Sequence, residues 1–141
     1  MRPRPTPLRH PEDRGSIALE LAFVSPLLLA LIFFSIQTGL WWYGRTVALQ
    51  AAREGVTQLR LVPDSQSFDQ IVPQVERNTE DFASVLGKES LVDPDAEADF
   101  DEDNGRVSMT VTGHVMTLVP GMDLQVTQQA FGEVERFEAD R

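Results

Sequence analysis

The chain has 141 residues, no cysteine, 12 Lys and Arg against 22 Asp and Glu, and a formal net charge of -10. Without cysteine there is no disulfide, thiolate metal site or Cys nucleophile, and the acidic balance argues against a nucleic-acid-binding domain, which needs a basic patch. Setting aside a basic leader and one long apolar run leaves about 100 residues, enough for one modest domain.

Residues 1–15 carry Arg2, Arg4, Arg9 and Arg14 against Glu12 and Asp13, with Pro3, Pro5, Pro7 and Pro11 interspersed. This stretch has no apolar cluster, so its composition predicts a disordered leader. It reads either as a plain cytoplasmic tail or as a peptide removed after Gly15. From Leu21 to Tyr43 no residue is charged. As a helix that run is roughly 35 Å long, enough to cross a hydrocarbon core of about 30 Å with some tilt. The run is too long for the apolar region of a secretory signal peptide, and no small-residue cleavage site closes it. Trp41, Trp42 and Tyr43 at its far end have the character of an interfacial aromatic belt. The arginines before the run place the N-terminus in the cytoplasm and the C-terminus outside.

Glu20 is the one acid at the edge of this segment. A carboxylate there is costly unless it reaches water, is protonated or is paired. It is read either as an edge residue that snorkels to the interface or as half of an ion pair with a neighbouring subunit. A cut after Gly15 would give Ser16 a free α-amino group, and each subunit would then carry both partners of such a pair. Pro26 removes a backbone donor inside the run and predicts a kink near Ala22, with Ser25, Ser35 and Thr38 available to satisfy freed backbone groups.

Beyond the membrane segment, Ala48, Ala51, Ala52, Gly55, Val56 and Leu59 recur at helical spacing, so the helix is expected to continue to about residue 62, where Pro63-Asp64-Ser65 ends it. The stripe of Ala48, Ala51, Ala52 and Gly55 permits close backbone approach. Its partner is either the chain's own distal domain or a neighbouring subunit.

The run Gly15-Ser16-Ile17-Ala18-Leu19-Glu20-Leu21-Ala22-Phe23-Val24-Ser25-Pro26, followed by Ala51-Ala52-Arg53-Glu54-Gly55, resembles the TadE-like family of minor pilin-like proteins in tight-adherence (Flp-type) pilus systems. The resemblance covers residues 15 to 61, under half the chain. It implies processing by a prepilin peptidase between Gly15 and Ser16, Glu20 as the assembly-directing acid, and partners among other pilin-like subunits, pilus-assembly membrane proteins and membrane lipid. The major Flp pilin usually carries Tyr directly after the Glu. Here Leu21 stands in that place, which with the sizeable distal domain favours a minor, pseudopilin-like role. The rival reading is an uncleaved, single-pass anchor carrying an extracytoplasmic binding domain.

In the distal part, residues 63–141, Phe68, Ile71, Val72, Val75, Phe82, Val85 and Leu86 form a second amphipathic helical pattern, with Ser67 and Gln70 as a capping box and Gly87 as its C-cap. Pro73 either kinks this helix or begins it. Ala96, Ala98 and Phe100 then alternate with acidic residues, Asp103-Asn104-Gly105 signals a hairpin, and Val107, Met109, Val111 and Val115 alternate with polar residues. Pro120-Gly121 marks a second turn. Met122, Leu124 and Val126 open a third strand running towards Phe137. The fold class expected is α+β: a long N-terminal transmembrane helix leading into a small pilin-like domain with a second helix and a three-strand antiparallel meander.

Chemistry is sparse in this domain. Asp99, Asp101 and Asp103 have the first spacings of a calcium loop, but Gly105 comes one place late and Thr110 stands where the bidentate Glu belongs, so the acids are read as a solvated strand face and turn. His114 has neither a second ligand nor a nucleophile motif beside it, and no Gly-rich phosphate loop occurs. No cofactor, metal, small-molecule substrate or catalytic residue is expected.

Overall fold

The computed structural model describes residues 12–61 and 65–134. Most of the leader, the Pro63 break and Phe137 lie outside these residues. The element order is α1 (Glu12–Leu59), α2 (Ser65–Gly87), β1 (Leu91–Asp101), β2 (Arg106–Val115) and β3 (Leu124–Glu133). The fold is α+β, as expected, and the sheet is an antiparallel meander in the order β1-β2-β3. The chain divides after Ile36 into two units.

In the first unit α1 is a single apolar helix. Helix assignment continues through Pro26, and the Ser35 hydroxyl donates to the Leu31 carbonyl at 2.8 Å, one of the local bonds that keep membrane helices satisfied. Ile17, Leu21, Phe23, Leu27 and Phe34 are all exposed within this chain.

In the second unit the remainder of α1 and the whole of α2 supply one apolar layer and the sheet supplies the other. Strand alternation puts Val107, Met109, Val111 and Val115 on the inner face of β2. Register sets Ala96 opposite Val111, Ala98 opposite Met109 and Phe100 opposite Val107. On the other side Ala130 lies opposite Met109 and Val126 opposite Gly113. Val47, Leu59, Leu91, Val107, Met109 and Val111 are fully buried, each contributing about 1.5–3 kcal/mol of transfer free energy. Phe68 stacks on Phe100 with ring centroids 5.2 Å apart, tying α2 to β1.

Three local expectations are corrected. The α2 helix begins at Ser65 and contains Pro73 in its interior, so Ser67 and Gln70 lie inside the helix rather than forming its cap. The residue in left-handed conformation at the end of α2 is Lys88, at φ 48°, and Gly87 is needed for space: a Cβ on it would stand 2.8 Å from Leu91 Cβ. The hairpin expected at Asp103-Asn104-Gly105 is present: it closes on the Asp101–Arg106 pair through a four-residue loop, 102–105, shaped by Asn104, whose backbone N–H and side-chain amide both donate to the Asp101 carboxylate at 3.1 and 2.7 Å. Met122 lies before β3 in the preceding loop, and β3 ends at Glu133.

Candidate functional site

The candidate site is the start of α1. Gly15 sits on the fourth residue of the helix and is exposed. The amides of a helix's first turn have no intrahelical acceptor, and local opening is least costly at such an end. A Cβ built on Gly15 meets nothing within 4 Å. Nothing in the fold therefore demands glycine at this position, and its smallness is free to serve a requirement outside the folded chain.

Glu20 follows one turn beyond Ser16 and is exposed; among the described residues no group pairs with it. Positions 16 and 20 are neighbours on one helix face. In residues 17–36 Glu20 is the only charged residue. One helix among the described residues, Ile17–Leu59, near the N-terminus, is long and apolar enough to cross a membrane.

The small-residue stripe lies elsewhere. Ala48, Ala51 and Ala52 are fully buried in the second unit. A Cβ on Gly55 would stand 2.7 Å from the Thr79 hydroxyl and 2.8 Å from Met109 Cε. The stripe lets α2 and β2 close on the backbone of α1, so the structure gives it a packing partner within the chain. The charged residues of the same block, Arg53 and Glu54, are exposed.

Two features carry more than their sequence signal suggested. Glu76 and Glu80, one turn apart on α2, accept hydrogen bonds from the backbone N–H groups of Ala98 at 3.0 Å and Ala96 at 3.3 Å. Those amides belong to the outer edge of β1. Gln37, a lone amide inside the apolar run, donates from Nε2 to the Met116 carbonyl at 3.3 Å and accepts at Oε1 from the Leu118 N–H at 2.9 Å. Its presence in an otherwise apolar stretch was the available clue. His114 lies on the outer face of β2, where its Nδ1 is 2.7 Å from the Asp123 carboxylate.

The family model described as TadE-like protein matches residues 15–57. The matched segment opens on Gly15, includes Glu20 and Pro26, and closes just after the Ala51-Ala52-Arg53-Glu54-Gly55 block. No curated protein and no solved structure matches the chain. The first part of the chain is thus similar to TadE-like proteins, as the motifs implied.

Proposed function

We propose that this chain is a minor, pilin-like component of a tight-adherence pilus or related secretion apparatus. It is held in the membrane by residues 17–36 with its N-terminus in the cytoplasm and its acidic α+β domain outside. A prepilin peptidase cuts between Gly15 and Ser16. The new Ser16 ammonium and Glu20 then pair across neighbouring subunits, in a low-dielectric setting where an attraction must still offset desolvation, and the helix packs laterally against other pilin-like subunits. The observation that carries this reading is the family match beginning at Gly15, joined to the absence of any steric demand for glycine there.

Processing is tested by intact mass in cells with and without the peptidase. The mature chain should begin at Ser16. Gly15→Leu should leave the full-length mass, because its bulk crowds the small position before the cut while the fold has room for it. An unchanged, shortened mass in that variant would place the cut elsewhere; a full-length mass in the parent strain would favour the uncleaved anchored domain.

A further inference from the structure

The loop joining β2 to β3, residues 116–122, is apolar in most of its side chains, and several of its main-chain groups are hydrogen-bonded. It contains no charged residue although the chain carries a net charge of -10. Val119-Pro120-Gly121-Met122 forms a tight turn closed by the Met122 N–H donating to the Val119 carbonyl at 3.2 Å. Pro120 and Gly121 (φ 83°) stand where a type II turn wants proline and a positive φ. The Thr117 hydroxyl donates to the Met122 carbonyl at 2.9 Å and lies 3.3 Å from the Val119 carbonyl. Gln37 satisfies the Met116 carbonyl and the Leu118 N–H. With these main-chain groups occupied, Leu118, Val119 and Met122 still hold apolar side chains outward, Val119 47% and Met122 46% exposed. That combination, a partly hydrogen-bonded backbone and outward apolar side chains, suits irregular chain at a lipid interface, where water still reaches the remaining polar groups.

The depth follows from residue count. A hydrocarbon core of about 30 Å takes about 20 helical residues, and counting from Ile17 these end at Ile36. Gln37 is the next residue in the chain, and the loop is bonded to it. Trp41 and Trp42 follow one turn later, both exposed, and the Arg45 guanidinium lies 5.8 Å from the Trp41 ring. Such aromatic and cationic residues are typical of the headgroup level.

We infer that residues 116–122 are a membrane-surface loop that seats the extracytoplasmic domain on the outer lipid interface, with Leu118, Val119 and Met122 immersed at the boundary of headgroups and acyl chains. The inference rests on the reading of residues 17–36 as the membrane span. Its partner is lipid of low net charge, since an acidic domain is repelled by an anionic surface.

The parent chain has no cysteine, so single cysteines report cleanly. The full chain would be reconstituted at low protein-to-lipid ratio in phosphatidylcholine vesicles and labelled with an environment-sensitive fluorophore at Leu118→Cys, Met122→Cys, Leu28→Cys or Thr127→Cys. Nitroxide lipids, spin-labelled near the headgroup or deep in the chain, serve as quenchers. Labels at 118 and 122 should lose emission to the shallow nitroxide, the label at 28 to the deep one, and the label at 127, on the outer face of the sheet, to neither. Labels at 118 and 122 that stay unquenched while 28 is quenched would overturn the loop assignment and leave the span intact. An unquenched label at 28 would overturn the span itself. Shielding of 118 from an aqueous quencher without nitroxide quenching would mean that protein, not lipid, covers the loop, and would also defeat the inference.

Discussion

At Asp101 a single carboxylate organises a turn. The side-chain amide of Asn104 and then its backbone N–H donate to this group and hold its pKa below the usual value of 3.8, with Arg106 adding a smaller attraction. A depressed folded-state pKa means that the charged form is favoured on folding. The contribution to stability is therefore complete above 3.8 and is lost as pH falls through the folded-state pKa. Titration of the Asp101 side chain by NMR should show a midpoint below 3.8, and Asn104→Ala should move it back towards that value. A midpoint unaffected by the substitution would remove the turn's hydrogen bonds as the cause. Glycine gives a second contrast at this scale. Both Gly39 and Gly55 are inside α1, where Ala is the better helix former by up to about 1 kcal/mol. A Cβ on Gly39 meets nothing, whereas one on Gly55 intrudes on Thr79 and Met109, both fully buried. Overpacking costs about 1–3 kcal/mol and exceeds the propensity gain. Thermal unfolding should thus show Gly55→Ala destabilised and Gly39→Ala equal to or above the parent.

For the elements, the instructive pairing is α2 with β1. An edge strand offers unpaired N–H groups to any other chain. In β1 two of these, on Ala96 and Ala98, are taken by Glu80 and Glu76, so α2 both fills the core and closes an edge. Hydrogen bonds to charged acceptors are worth about 1.5–3 kcal/mol each where partly shielded. The double variant Glu76→Ala with Glu80→Ala should lose about 2 kcal/mol or more in denaturant unfolding and associate more readily at high concentration. Gln at both positions should recover part of the loss, since an amide oxygen accepts the same bonds without the charge. Equal stability of the double variant and the parent would reduce these bonds to surface decoration.

On the level of the whole molecule, the proposed assembly role concentrates on one side chain. Glu20→Ala takes a charge out of an apolar helix, where such a group costs up to about 2.5–3.5 kcal/mol at the centre and less near an end. Membrane insertion should be unimpaired or improved. Co-purification with other pilin-like subunits, or piliation, should fall sharply because the Ser16 ammonium of a neighbour loses its partner. Normal assembly in that variant would count directly against the ion pair and leave Glu20 as an interfacial edge residue.

Much of this protein was legible from local pattern. The charge-free run of residues 21–43, the alternation along β2, the Asp103-Asn104-Gly105 turn and the Gly15-to-Pro26 motif each depend on a residue and its near neighbours in the chain. Periodicity and composition report such features directly. The α+β class and the order of the elements followed from them. Tertiary structure decided the rest, because it joins residues far apart in sequence. Pro73 could sit within α2 because the helix is held by packing against β1, not by propensity alone. Gly87 is fixed by the closeness of Leu91 and Val47, and the turn conformation falls to Lys88. The small-residue stripe could have faced a neighbour or the chain's own sheet, and only the positions of Thr79 and Met109 chose between them. Gln37 and the loop at 116–122 are about 80 residues apart, near the 79 and 81 positions separating the bonded pairs. No local pattern could place that amide on that backbone, since their meeting depends on how the meander folds back onto α1.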